Sequence, residues 1–204
     1  VSFSADDLAQ VRSIEQTRQA RLEKEAEQAA VTVEQRAREL DAASRALQQL
    51  RAGPPAASQD PLDVAEARVR SLRIALETAR RDVETLANLN SISAATLEMW
   101  ALRFDAVNAP SADRRLEATT AMRKLLDGIR VWKAFASGEV SVVQSELAEQ
   151  AVRQERSGLQ ADVTRYEVAA ADSLRQRALR VQQLDDGINR TDRMLRRWLD
   201  EIGG

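Results

Sequence analysis

The placement of glycine and proline constrains this chain more than any other feature of its sequence. Neither residue occurs before Gly53, and neither occurs between Leu62 and Ala109. These two uninterrupted stretches are rich in alanine, leucine, arginine and glutamate, all of which favour α-helix. Long runs of helix formers without a breaker predict long helices, so we expect an all-α protein.

Apolar residues repeat within both stretches at alternating steps of about three and four residues, which is typical of a coiled-coil seam. The first helix is predicted over about 4–51, with Ser4 as its N-cap, and the second over about 61–108, after a linker at 52–60. At about 1.5 Å per residue, each helix would span roughly 70 Å. Equal lengths and a short connector predict a long antiparallel helical hairpin.

Two further helices are predicted after the hairpin. Ser111 caps a shorter third helix over about 111–136, and Gly138 separates it from a long fourth helix over about 140–202. The fourth helix would reach roughly 90 Å, so it either folds back along the hairpin or projects beyond it. A column with seven-residue spacing runs through it at Leu174, Val181, Ile188, Leu195 and Ile202. Together the four helices predict a single elongated domain over 1–204.

Two polar residues, Asn90 and Ser93, interrupt the apolar seam of the second helix. A buried asparagine must find a partner, so a polar layer penalises misaligned pairing of helices. If the short linker determines how the two helices of the hairpin align, Ser93 of the second helix lies near Gln19 of the first. The seam keeps its phase across residues 88–93, which favours a continuous helix, and the alternative is a local break.

Aromatic residues make up only 3% of the chain, yet several fall where the third helix would close the open end of the hairpin. Each ring buries on the order of 150–250 Å² when it is packed in a core. We therefore predict a packing node at this place rather than a ligand pocket. The node comprises Leu97, Trp100, Phe104, Trp132 and Phe135.

The charges of the chain nearly cancel, because 30 basic and 32 acidic residues give a net charge of -2. This balance provides no general attraction to nucleic acid or to an anionic membrane, although it allows a local patch. We expect no nucleic-acid partner. A basic face is predicted on the fourth helix at Arg190, Arg193, Arg196 and Arg197.

Cysteine and histidine are both missing from the sequence. The chain therefore has no thiol chemistry, and it lacks the commonest general base and metal ligand. It contains no phosphate-binding glycine loop, calcium-binding loop or nucleophile elbow. These observations predict a protein that is not an enzyme and that uses no cofactor, metal or small-molecule substrate.

The segment "MWALRF", with Trp100, Arg103 and Phe104, follows Leu97 late in the predicted hairpin. In this pattern, and in its array of long alanine- and arginine-rich helices, the chain resembles the periplasmic N-terminal region of bacterial mechanosensitive channels of the small-conductance type. The resemblance implies an extramembrane coiled-coil domain on the periplasmic side of the inner membrane. Such a domain is adjacent to membrane segments, is repeated around an oligomeric channel, and has a structural or gating-modulating role.

A second hypothesis is a coiled-coil scaffold or adaptor, with the cytoplasm as the alternative location. Its exposed helical seams would pair with another protein or with a second copy of the chain. A curved membrane-binding helical dimer is a third hypothesis, and the net charge of -2 argues against it. The partner in the first two hypotheses is a protein.

Overall fold

A computed structural model describes residues 3–53, 59–157 and 160–203 of the chain. Within these ranges the chain forms four α-helices and no strand. The helices are α1 (Ala5–Ala52), α2 (Asp60–Val107), α3 (Ala112–Ser157) and α4 (Ala161–Gly203). The predicted all-α fold is confirmed.

The N-caps predicted at Ser4 and Ser111 are both present. The Ser4 hydroxyl accepts a hydrogen bond from the Asp7 amide at 3.2 Å, and the Asp7 carboxylate accepts one from the Ser4 amide at 2.8 Å. Hydrogen bonds from the amide and hydroxyl of Ser4 lower the pKa of Asp7 from its usual value. The Ser111 hydroxyl accepts a hydrogen bond from the Arg114 amide at 3.3 Å. Each cap satisfies a backbone donor that has no partner within its helix.

The boundary predicted between the third and fourth helices is wrong. The α3 helix passes through Gly138 and has 46 residues, so it is nearly as long as α1 and α2 with 48 each. A Cβ atom at Gly138 would meet nothing within 4 Å, and glycine costs only about 1 kcal/mol relative to alanine inside a helix. Buried side chains on both sides, Ala136 and Val143, offset that cost. The α4 helix begins only at Ala161 and, with 43 residues, is the shortest of the four.

The chain divides into two compact units, where the sequence predicted a single elongated domain. Unit 1 comprises Val1–Glu25, Thr85–Gly138 and Gln182–Gly204, whereas unit 2 comprises Ala26–Glu84 and Glu139–Val181. Every helix contributes a segment to each unit. Each unit is therefore built from four helical segments.

The core of unit 1 is mainly apolar, and most of it comes from α2, α3 and α4. Met99, Met122 and Ile188 lie on these three helices, and each is 0% exposed. Methionine adapts to irregular gaps between helices because its side chain is unbranched and flexible. The α1 segment adds the buried side chains of Leu8 and Leu22. Further buried apolar residues of this unit are Leu86, Leu89, Ile92, Ile129, Leu184 and Leu195.

Within unit 1, α1 and α2 run in opposite directions, since Phe3 contacts Trp100 and Glu15 contacts Ser93. The register differs from the prediction by one helical turn, because Ser93 meets Glu15 rather than Gln19. A carboxylate accepts a hydrogen bond from a buried hydroxyl strongly, so this pairing favours the observed register within unit 1. In α2 the helix is continuous over 88–93, as predicted.

Unit 2 has an apolar cluster of Ala43, Leu47 and Val69, against which Leu40 and Leu72 pack. The column of apolar residues predicted on α4 is buried in both units. Its members in unit 2 are Leu174 and Val181, its members in unit 1 are Ile188 and Leu195, and each of these four is at most 2% exposed.

Over the described ranges, no helix is both long and apolar enough to cross a membrane.

Candidate functional site: buried polar layers between helices

An aromatic cluster lies in unit 1 around Trp100. Its ring centroid lies 5.2 Å from that of Phe3 in a stacked arrangement and 4.3 Å from that of Trp198 in an edge arrangement. The Phe3 ring also contacts Phe104 at 6.2 Å. The guanidinium of Arg103 lies 4.4 Å from the Trp198 centroid, within the range of a cation–π contact. The cluster therefore joins α2 to α4 and to Phe3, which lies two residues before α1.

This cluster differs in membership from the predicted node. Trp100 and Phe104 belong to it, but Trp132 and Phe135 make no ring contact with them in the part of the chain that the structure describes. Trp132, Phe135 and Leu97 are half-buried. Sequence reasoning missed Trp198, although its place three residues after the buried Leu195 puts it on the inner side of α4.

The polar layer predicted at Asn90 and Ser93 lies in unit 1. Ser93 is 0% exposed, and its hydroxyl donates to the Glu15 carboxylate at 2.5 Å. Glu15 is itself 8% exposed, and Arg18 lies 3.9 Å from its second oxygen. The Oδ1 atom of Asn90 is buried without a hydrogen-bond partner among the described residues. Ser93 therefore connects α2 to α1, whereas Asn90 makes no such connection through Oδ1.

A buried ionic layer occupies the core of unit 2. Arg177 of α4 is 2% exposed, and its two terminal nitrogens donate to Glu139 and Glu146 of α3, both at 2.9 Å. The second oxygen of Glu139 lies 3.6 Å from Arg81 of α2. Three helices therefore meet at Glu139. The sequence contains no local sign of this arrangement beyond Arg177 lying three residues after the buried Leu174.

A second layer in unit 2 is centred on Glu167 of α4, which is 3% exposed. Its carboxylate accepts hydrogen bonds from Arg70 of α2 at 2.9 Å and from Gln150 of α3 at 2.6 Å. The Gln150 side chain also donates to the Glu167 carbonyl oxygen at 2.9 Å, and Gln154 donates to the same oxygen at 3.2 Å. The same three helices that meet at Glu139 are therefore linked again at Glu167.

Asp82 of α2 lies half-buried in unit 2 and faces the positive charges of α4. Burial raises the pKa of this carboxyl, while Arg180 and Arg177 act in the opposite direction. Its Oδ1 atom is buried and has no hydrogen-bond partner among the described residues, and the same holds for Thr78 Oγ1 and Arg177 Nε. The buried polar atoms of the ionic layer thus lack some of their hydrogen-bond partners on the α2 side. The layer therefore depends on the hydrogen bonds that Arg177 donates to α3.

The basic face predicted on α4 is partly neutralised in the structure. Arg196 pairs with Asp192 at 3.1 Å, and Arg197 pairs with Glu201 at 2.8 Å. Arg190 and Arg193 are exposed and have no carboxylate partner in the described part of the chain. Asp192 and Glu201, each one helical turn away on the same helix, supply the compensating charge.

Comparisons with known proteins return no relative of this chain. No family model matches the sequence, and neither a curated protein nor a solved structure matches it. Function is therefore inferred from the residues and geometry of the chain itself.

Proposed function

We propose that this chain is a non-enzymatic, extramembrane helical domain of a membrane protein, and that the membrane protein is a mechanosensitive channel. The domain would act by holding long helices at fixed positions along their axes, so that a displacement at one end of a helix is passed to its neighbours. Its location on this proposal is the periplasmic side of a bacterial inner membrane.

The observation that carries this proposal is the arrangement of Arg177, Glu139 and Glu146 in the core of unit 2. A shift of α4 by one turn, about 5.4 Å, would separate Arg177 from both carboxylates. Leaving a buried charge without its partner costs about 3–5 kcal/mol. Within this unit, therefore, sliding of one helix past the others is strongly opposed, which suits a part that transmits load.

Two further observations support the proposal. The helices have 43 to 48 residues each, so they can carry a displacement over a long distance. Three of the four residues that resemble the channel family, Trp100, Arg103 and Phe104, belong to the aromatic cluster of unit 1, and the fourth is Leu97. The proposal requires membrane-spanning helices elsewhere in the full-length protein.

The test is electrical recording from the full-length gene product, expressed in bacterial cells that lack their own mechanosensitive channels. We expect current in membrane patches under suction and rescue of the cells from osmotic downshock. Arg177→Gln should shift the tension at which the channel opens. Arg175→Gln is the matched control, since Arg175 is exposed on the same helix and pairs with the exposed Asp172. A full-length protein that passes no current under tension would contradict the proposal.

A scaffold or adaptor is a second candidate function, favoured by large apolar side chains on the outside of the helices. Ile14 and Val31 of α1 are 60% and 67% exposed, and Leu116 and Val131 of α3 are 60% and 69% exposed. Such side chains stabilise association when a partner helix covers them. Sedimentation of the purified chain over a range of concentrations tests this candidate, and a monomer at high micromolar concentration would count against it.

A further inference from the structure

Between α1, α2 and α4 of unit 2 lies a cleft with a volume of about 390 Å³, which we term the Ser71 cleft. Sites for small molecules usually have volumes of roughly 300–1,000 Å³. Small side chains line the cleft in pairs four residues apart: Ser71 and Ala75 on α2, and Ala169 and Ser173 on α4. Residues four apart lie on one side of a helix, so small side chains on two neighbouring helices create this space.

The α1 helix borders the cleft without filling it. Over residues 26–42 the helix is continuous, yet none of its side chains is buried. The α1 residues that line the cleft are Arg36 and Glu39, and they pair with each other at 2.7 Å. An ion pair therefore lies where a large apolar side chain would otherwise close the space.

Ser71 is the most deeply buried of the polar residues that line the cleft. It is only 6% exposed, and its hydroxyl makes no hydrogen bond within the described residues. Ser173 differs, because its hydroxyl donates to the Ala169 carbonyl oxygen at 3.0 Å. A hydroxyl that is removed from water without a partner is unfavourable. The Ser71 hydroxyl is therefore available to a polar atom of a ligand in the cleft.

The charges that line the cleft leave one cation in excess. Glu39 pairs with Arg36 at 2.7 Å, so this carboxylate is already neutralised. Asp172 of α4 pairs with Arg175 at 2.6 Å. Arg68 of α2 is exposed and has no carboxylate within ion-pair distance in the part of the chain that the structure describes. Arg68 is therefore the charged group of the cleft that a ligand can engage without breaking an existing pair.

One wall of the cleft is aromatic. Tyr166 of α4 is half-buried and lines the cleft. The guanidinium of Arg165 lies 5.1 Å from the Tyr166 ring centroid, which adds a second positive charge near this wall. Leu72 and Ala75 of α2 supply apolar surface beside it. Aromatic and apolar side chains with a few polar groups among them are typical of sites that bind flat organic molecules.

We infer that the Ser71 cleft binds a small aromatic carboxylate. Arg68 pairs with the carboxylate of the ligand, because a guanidinium group binds a carboxylate through two parallel hydrogen bonds. The ring of the ligand packs against Leu72 and Tyr166, and the Ser71 hydroxyl binds a second polar group. A cationic ligand is disfavoured, since both carboxylates of the cleft already have an arginine partner. This inference goes beyond the proposed channel role, and it concerns unit 2 alone.

The experiment titrates the purified chain with 4-hydroxybenzoate and follows the backbone amide signals by nuclear magnetic resonance. We expect saturable shifts in the residues of α2 and α4 that line the cleft and in α1 over 26–42. The neutral analogue 4-hydroxybenzamide has the same ring and hydroxyl but no negative charge. It should bind about 10-fold more weakly, because it loses the charge-assisted hydrogen bonds to Arg68.

Two arginine variants on α2 give the matched comparison. Arg68→Gln should weaken binding of 4-hydroxybenzoate by about 10-fold. Arg80→Gln is the control, because Arg80 is exposed on the same helix and does not line the cleft, and it should bind within about twofold of the parent. Both residues are exposed, so both variants should keep the helix content and melting temperature of the parent.

Two variants inside the cleft test its volume and its buried hydroxyl. Ala75→Leu should abolish binding, since the larger side chain occupies the space that the ligand needs. Ser71→Ala should weaken binding several-fold, because it removes a hydrogen bond and leaves the volume of the cleft almost unchanged. Circular dichroism checks that both variants fold, and the two arginine variants decide the question if either does not.

Three outcomes would overturn the inference: no saturable binding at millimolar 4-hydroxybenzoate, equal binding of the acid and its amide, or equal losses in Arg68→Gln and Arg80→Gln. Shifts confined to unit 1 would also overturn it, because they would place the site elsewhere. The titration needs no channel activity. A chain that binds the acid although its full-length protein passes no current would therefore retain this inference and lose the proposed function.

Discussion

The two units use different chemistry to hold the same four helices together. The core of unit 1 is built from methionine, leucine and isoleucine and is closed at one end by the cluster of Phe3, Trp100 and Trp198. Unit 2 buries charged and amide side chains, with Arg177 and Glu167 at the centres of two layers. Apolar contacts stabilise many alignments of a helix almost equally, whereas a buried ion pair is satisfied in only one. Unit 1 therefore relies mainly on apolar burial, whereas unit 2 has more of the buried polar pairs that specify register.

The largest expected effect tests the ionic layer of unit 2. Arg177→Met removes the cation from Glu139, which is 8% exposed, and should lower the free energy of unfolding by about 3–5 kcal/mol. Arg175→Met, on the exposed side of the same helix, should change it by less than about 0.5 kcal/mol. Urea unfolding followed by circular dichroism gives both values. Equal effects would show that burial of Arg177 has no energetic consequence.

The double variant Arg177→Met, Glu139→Met sharpens the same comparison. Replacing both partners of a buried pair with apolar side chains is often neutral or stabilising, so most of the lost stability should return. The register should then be less well defined, which spin labels on α2 and α4 would detect as a broader distribution of distances within unit 2. A double variant as unstable as Arg177→Met, or one with an unchanged distance distribution, would contradict the register role.

The aromatic cluster of unit 1 should respond almost as strongly. Trp198 is 4% exposed and contacts both Trp100 and Arg103, so Trp198→Ala should cost about 3–4 kcal/mol. Trp132→Ala is the matched control, because Trp132 is half-buried and lacks a ring contact with that cluster, and it should cost about half as much or less. Thermal unfolding compares the two. If Trp132→Ala lowered the stability more than Trp198→Ala, α3 would belong to the packing node after all.

A smaller effect is expected at the hydrogen bond between Ser93 and Glu15, a buried polar contact inside the mainly apolar unit 1. Ser93→Ala removes the donor and leaves the Glu15 carboxylate, which is 8% exposed, without its buried partner, at a cost of about 1–3 kcal/mol. Ser91→Ala, at an exposed position of the same helix, is the control, with an expected change of less than about 0.5 kcal/mol. Denaturant titration at neutral pH distinguishes them. If the two variants had the same free energy of unfolding, the register of unit 1 would depend on its apolar contacts alone.

The smallest effect depends on pH. Burial raises the pKa of Asp82 above its usual value of 3.8, so the folded state favours the neutral carboxyl. The stability associated with this carboxyl is fully present below pH 3.8 and is lost as the pH rises through its folded-state pKa. Asp82→Asn should therefore be slightly more stable than the parent at neutral pH and equally stable in acid. If the stability advantage of Asp82→Asn over the parent instead increased as the pH fell, the pKa of Asp82 would be lowered in the folded state rather than raised.

Much of the fold could be predicted from the pattern of residues along the chain. Starts of helices were predictable at Ser4 and Ser111, because a cap depends on residues within one turn. The end of α3 was not, because a glycine such as Gly138 weakens a helix only slightly and the buried side chains on either side outweigh it. Breakers in a sequence therefore mark possible ends of helices, and packing decides which of them are used.

The sequence by itself determined that this chain is helical, where its long apolar stripes run, and that polar side chains interrupt them at Asn90 and Ser93. Only the tertiary structure decided which groups meet: Ser93 with Glu15, Trp100 with Trp198, and Arg177 with Glu139. The reason is physical. Periodicity places a side chain on one face of its own helix. The partner of that side chain depends on how far one helix is shifted along another, and the neighbouring residues in the sequence do not determine that shift.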